Sequence, residues 1–248
     1  MPDVRLSFVM KQVVQRNFDA SVSAYDAYER RTRRFSTLTR LLAAEMAARA
    51  SGFDRVLDAG AGSGVSTSVL HERASRVVAL DISREMLREN AGAARVQGDF
   101  DSLPFEDDTF DGVAYTASLF LVPDPAVAVR EAQRVLRPGG VVGAVAPLGW
   151  FTDDGVDVFD TLPRESRSPT PASEVQRAIE SGFETTSGTW SFPTTAADVQ
   201  QFHMIPAMAA RLYPRSDPEE RLQKARDLLD ALEGTFEQRW QWLVGTTA

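Results

Sequence analysis

The segment Val56–Gly64, V-L-D-A-G-A-G-S-G, constrains the fold of this chain more than any other stretch. Its apolar lead-in reads as a buried strand, its three alternating glycines as a turn, and Ser66–Arg73 as the helix behind that turn. A second apolar run ends at Leu80-Asp81. A ligand lying across a strand-to-helix turn needs backbone without Cβ atoms, and glycine also supplies positive φ. Counting from Gly60, the sixth position is Val65, so the spacing departs from a dinucleotide fingerprint. Asp81 stands 17 residues after Gly64, and an acid ending the second strand can accept both hydrogen bonds of a ribose diol. The stretch therefore reads as a nucleoside pocket in a parallel α/β sheet.

The rest of the chain supports that architecture. Residues 1–50 read as helices, with Phe18, Val22 and Tyr25 at helical spacing and Leu38, Leu41, Leu42 and Met46 as a second apolar stripe. Strands are expected to end at Asp58 and to cover Val77–Asp81, Ala94–Gln97, Asp111–Thr116 and Val141–Ala146. Helices fall between them over Ser83–Asn90 and from Pro125 to about Leu136, the latter capped by Asp124 and ended by Pro138-Gly139-Gly140. Short strands separated by helices imply crossovers and a parallel sheet. Residues 148–172, with three prolines and the pair Trp150-Phe151, read as a long loop. A helix from Ser173 to about Ser181, a strand over Phe183–Phe192, helices over Ala196–Ala210 and Asp217–Leu232, and a last strand near Gln238–Gly245 follow. Three regions result: a helical cap over 1–50, a ligand-binding core over 51–147, and a completing part over 148–248, in one structural domain.

Further motifs accompany the glycine turn in a fixed order: G-D-F at Gly98–Phe100, L-P-F-E-D-D-T-F-D at Leu103–Asp111, and R-V-L-R-P-G-G at Arg134–Gly140. With D-A-G-A-G-S-G and Asp81, they resemble the class I S-adenosylmethionine-dependent methyltransferases over residues 54–147, and within them the ubiquinone/menaquinone and biotin-synthesis type. The resemblance implies a Rossmann-like, mostly parallel sheet of seven strands, the last antiparallel and inserted beside the fifth, with a helical insertion roofing the site. It also implies S-adenosylmethionine as cofactor and S-adenosylhomocysteine as product. Gly60, Gly62 and Gly64 would face the methionine part, Asp81 would hold the ribose, and Ile82 would pack on the adenine. Asp99 would accept the adenine amino group, with Phe100 beside the ring, and Thr116 would offer its carbonyl or hydroxyl to the cofactor's amino group. Asp58 would orient the glycine loop or reach the ammonium. Met86 has two readings, an adenine contact or a packed core methionine.

The residues after the fourth strand are T-A-S-L, without the Asn/Asp-Pro-Pro-aromatic motif of amino-methylating enzymes, which points to other acceptors. Methyl transfer from a sulfonium is an in-line displacement with a neutral leaving group, so alignment and desolvation dominate. A base is needed only where the nucleophile must lose a proton. His203, in the roofing helices, is one candidate, set against an ordinary packed histidine, while His71 lies behind the glycine loop. The segment F-D-A-S-V-S-A-Y-D at Phe18–Asp26 resembles the N-terminal helix of malonyl-acyl-carrier carboxyl methyltransferases, which makes Tyr25 a contact to cofactor or acceptor, or else a core aromatic. The reading is a methyltransferase acting on a small-molecule or carrier-bound acceptor, with O-methylation ahead of C-methylation, a non-catalytic cofactor-binding module as the alternative, and an RNA or protein methyltransferase behind it.

The net charge of −8 argues against a sequence-independent grip on nucleic acid. Residues 1–50 nevertheless carry nine basic and five acidic side chains, centred on Arg30, Arg31, Arg33 and Arg34. That cluster reads as a solvated helix face or as a surface for an acyl-carrier protein. Without cysteine there is neither disulfide nor thiolate metal site, and no ligand-spaced His and carboxylate cluster suggests a metal. No stretch of about 18 uninterrupted apolar residues occurs, and a cytoplasmic protein is expected.

Overall fold

The computed structural model describes residues 4–92, 94–163 and 172–247. Three helices come first, α1 (Val4–Asp19), α2 (Val22–Thr32) and α3 (Arg34–Ala47). An alternating series follows: β1 (Arg55–Ala59), α4 (Val65–Leu70), β2 (Arg76–Asp81), α5 (Arg84–Glu89), β3 (Ala94–Gln97), β4 (Phe110–Tyr115), α6 (Pro125–Val135) and β5 (Leu136–Phe151). Next come α7 (Val158–Thr161), α8 (Ala172–Glu180), β6 (Glu184–Thr195), α9 (Ala196–His203), α10 (Pro206–Leu212), α11 (Pro218–Leu229) and β7 (Thr235–Thr246).

Seven strands form one sheet in the order β3-β2-β1-β4-β5-β7-β6. The pairs β1–β2, β1–β4, β2–β3 and β4–β5 are parallel, with crossovers through α4, α5 and α6. At the far edge, the Thr246 hydroxyl donates to the Glu184 carbonyl, Trp242 lies against Gly188, and the Ser191 hydroxyl donates to Glu237. That progression makes β7 antiparallel to β6. The sheet is the Rossmann-like one expected, with the last strand beside the fifth. Its order reverses between β1 and β4, which opens a crevice beyond their carboxyl ends.

The chain divides into two compact units. The helical unit comprises the described residues of Met1–Arg33, Leu148–Pro169 and Ser191–Arg239, and the sheet unit those of Arg34–Pro147, Thr170–Trp190 and Trp240–Ala248. The dividing points at 147/148, 190/191 and 239/240 fall inside β5, β6 and β7.

In the sheet unit, Leu38, Leu42 and Met46 of α3 are completely buried, with Leu42 and Met46 against β5 at Gly143 and Met46 near β4 at Gly112. The approach is close because both strands present glycine there. A Cβ at Gly143 would lie 2.4 Å from the Met46 sulfur, and one at Gly112 would lie 2.9 Å from the Phe53 ring. In the helical unit, Tyr28 meets Phe202 edge to face at 5.2 Å, and the Ala207 N–H donates to the Ser21 hydroxyl at 3.0 Å. The Arg31 guanidinium donates to Asp198 at 2.7 Å, and Asp198 also closes a capping box with Thr195 at the start of α9.

Several boundaries differ from the sequence reading. Strand β5 begins at Leu136 and runs to Phe151, well beyond Val141–Ala146, with an irregular register opposite Phe110 and Gly112. Pro138-Gly139 interrupts the ladder as a bulge rather than separating helix from strand, Gly139 having φ +75°. Trp150-Phe151 therefore ends a strand. The stretch after it holds the Phe151–Asp157 bridge and α7, while residues 164–171 of the expected loop lie outside the described residues. The expected helix over Ala196–Ala210 is two helices, because Pro206 lacks an N–H and instead starts α10.

Candidate functional site

The glycine turn is tied to the next strand by its own backbone. The N–H groups of Gly60 and Ala61 both donate to the Leu80 carbonyl, at 2.8 and 3.1 Å. One residue further on, the Asp81 carboxylate takes the Gly62 N–H on Oδ2 at 2.9 Å and the Ser83 N–H on Oδ1 at 2.8 Å. A carboxylate has about four acceptor sites, so Asp81 can orient the turn and still accept from a ligand. Gly60, Gly62 and Gly64 have φ of +84°, +51° and +98°. At Gly62 a Cβ would meet nothing within 4 Å, so space lies open above the turn.

Asp58, fully buried at the end of β1, accepts from the hydroxyls of Ser66 and Thr67, each 2.7 Å from Oδ2. Both donors lie on α4, so the acid anchors the helix behind the turn. Burial pushes its carboxyl up to about 6, against the opposing pull of the two hydroxyls. Its Oδ1 is buried without a hydrogen-bond partner, and so is Oγ1 of Thr116, just past β4. Alternation along β4 places Thr116 on the face of Ala114, the register partner of Asp58. Buried polar atoms are nearly always satisfied, and these two stand beside the open turn with hydrogen-bonding capacity that a polar ligand could use.

The G-D-F segment reaches the same turn. Phe100 packs edge to face on Tyr115 at 5.2 Å, and its Cζ lies 3.2 Å from where a Gly60 Cβ would stand. Asp99 accepts from the Asp101 N–H at 3.2 Å and bridges to Ser102. Ile82 is half-buried, and its carbonyl accepts from Gln97 at 3.2 Å. Met86 is 1% exposed, within the core. Asp58, the three glycines, Asp81, Ile82, Met86, Asp99, Phe100 and Thr116 all belong to the sheet unit.

Tyr25 and His203 belong to the helical unit. Tyr25 is half-buried on α2. His203 is buried among Trp150, Phe159 and Phe202, at ring-centroid distances of 5.1, 4.6 and 5.1 Å. Its Nδ1 donates to the Val199 carbonyl at 2.8 Å. His71 is exposed at the end of α4.

Two residues of the site carry no sequence signal. Ser118 donates to the Ala59 carbonyl at 2.6 Å. The buried Asn90 donates to Thr67 Oγ1 at 3.0 Å, accepts from the Gly92 N–H at 2.8 Å, and fills the space a Gly64 side chain would need. Among the described residues no group of three or more His, Asp or Glu could hold a metal ion, and no helix is long and apolar enough to cross a membrane.

Residues 57–143, which hold nearly all of this arrangement, match the model of the methyltransferase domain. These residues belong to that family. The methyltransferase segment is 48% identical over 90 residues to demethylmenaquinone methyltransferase of Mycolicibacterium paratuberculosis, covering 35% of this chain and 38% of that protein. It is 37% identical over 122 residues to 2-methyl-6-phytyl-1,4-hydroquinone methyltransferase 2, chloroplastic, of Oryza sativa subsp. japonica, covering 45% of this chain and 35% of that protein. The match thus spans little more than a third of these relatives. The fold is similar to that of the YcgJ protein from Bacillus subtilis, with a TM-score of 0.61 at 23% identity over 85% of this chain and 98% of that one.

Proposed function

We propose that the chain binds S-adenosylmethionine at the glycine turn and transfers its methyl group to a small-molecule acceptor. The observation that carries this reading is the pair of orphaned buried atoms, Asp58 Oδ1 and Thr116 Oγ1, beside a turn of positive-φ glycines. Asp81 accepts from the ribose diol while holding the Gly62 and Ser83 N–H groups, so ligand and turn share one anchor. Asp58 takes up the ammonium of the methionine part, directly or through water, and Thr116 a further amino hydrogen. Asp99 accepts from the adenine amino group, with Ile82 and Phe100 along the ring.

When bound, the cofactor supplies a methyl group on a sulfonium, whose departure leaves a neutral thioether. The chain's contribution is alignment and exclusion of water, with a base only for an acceptor that must lose a proton. The relatives' names support a hydroquinone-like acceptor, and the aromatic cluster of Trp150, Phe159 and Phe202 around His203 has the chemistry to suit a planar ring. An acyl-carrier partner has no counterpart in those names. Transfer to oxygen leads transfer to carbon in this proposal, with His203 as the base for an acceptor that must lose a proton and Tyr25 as a contact to the cofactor or the acceptor.

Isothermal titration with S-adenosylhomocysteine and transfer of labelled methyl to reduced quinones test the two halves separately. Asp81→Asn should weaken binding by about ten- to a hundredfold, as loss of a charged acceptor does. Absence of binding by the wild type would refute the reading. Binding without transfer to any metabolite would leave a ligand-binding module, and the position of the label in the product separates oxygen from carbon.

A further inference from the structure

Strands β1 and β4 run side by side through Asp58↔Ala114 and then part, β1 into the glycine turn and β4 into Thr116-Ala117-Ser118. Adjacent parallel strands that leave in different directions have no ladder to hold their ends together. Here a side chain spans the gap. The Ser118 hydroxyl donates to the carbonyl of Ala59, the last residue of β1, at 2.6 Å, and Ser118 is 5% exposed. Its Cβ stands only 2.4 Å from where a Gly60 Cβ would be, and its Oγ 2.8 Å away. The first glycine of the turn is therefore required by Ser118 as well as by its φ of +84°.

Ala117, between Thr116 and Ser118, has φ +56°, a conformation that residues with a Cβ rarely adopt. Such strain persists where the surroundings over-determine it, and it is concentrated at functional sites. The reversal at Ala117 accompanies both the Ser118 bond to β1 and the buried, unpartnered state of the Thr116 hydroxyl. We propose that Ser118 is a positioning residue: it latches the β4 exit to the glycine turn across the crevice and so presets Gly60 and the Thr116 hydroxyl for the ligand. This rests on the cofactor reading above. The latch acts before any ligand arrives, because the bond exists within the chain itself.

The test combines amide hydrogen exchange in the ligand-free protein with titration of S-adenosylhomocysteine. In Ser118→Ala, the amides of residues 60–64 should exchange about tenfold faster than in the wild type while those of β2 and β3 keep their rates, and the dissociation constant should rise about tenfold. Ser118→Thr, which retains the hydroxyl, should restore both, and Ser118→Cys, nearly equal in volume to serine but a weak donor, should fall between. Unchanged exchange at 60–64, faster exchange spread evenly over the sheet, or an unaltered dissociation constant would overturn the latch. Failure of the wild type to bind refutes the cofactor reading instead, and exchange at 60–64 then decides the latch alone.

Discussion

Buried at the end of β1, Asp58 holds its proton to about pH 6, well above the ordinary value of 3.8. Between those limits the folded protein binds a proton that the unfolded chain has released, so stability is greater at the acid end and falls as pH rises from about 4 to 6. The full penalty, about 3 kcal/mol, is present above pH 6. Asp58→Asn lacks this titration. Denaturant unfolding should accordingly show the variant gaining on the wild type by about 3 kcal/mol between pH 4 and 7, whereas parallel curves would contradict the assignment. The roles proposed for Asp58, Asp81 and the glycines were legible because their chemistry is local: an acid at a strand end and glycines in one turn. Ser118 and Asn90 were not, since Ser118 meets a carbonyl 59 residues away and Asn90 a hydroxyl 23 residues away. Only the fold brings those pairs together.

Helix α3 lies close on the sheet because β4 and β5 present Gly112 and Gly143 beneath Met46. Gly143→Ala would drive a methyl into the Met46 sulfur and should cost about 1–3 kcal/mol, read from thermal or denaturant unfolding. Combined with Met46→Ala, the loss should be smaller than the sum of the single variants, because the second change removes the atom that the first one strikes. An additive pair would mean that α3 shifts instead. Element starts were readable where a side chain caps them, as Ser83 does by accepting the Met86 N–H and Asp124 the Ala126 N–H. The β5 boundary was not, because Pro138-Gly139-Gly140 has the composition of a terminator and acts as a bulge, held in part by the Ser51 N–H donating to the Gly139 carbonyl. The break before Pro206 was available in the sequence, since proline cannot continue a helix through its interior.

At the scale of the molecule, the sheet unit is assembled from three separate pieces of chain. A fragment of residues 34–147 contains the family-matched segment yet lacks α8, β6 and β7, which leaves β5 as an open edge. Expressed alone, it should show no cooperative thermal transition by circular dichroism, and a sharp one would mean that five strands suffice. The negative balance of the whole chain predicts no retention on bulk RNA at physiological salt, checked by filter binding. The hydrogen bonds described around the glycine turn join residues between Asp58 and Ser118, all of the sheet unit. Chain length in the pieces of the helical unit is therefore free to vary without re-spelling the donor pocket. Residues inserted at the exposed turn 153–155 or in the 214–217 connection should leave nucleoside affinity intact while changing which acceptors are used, and so mark this chain as one in which new substrates can be acquired by insertion rather than by substitution.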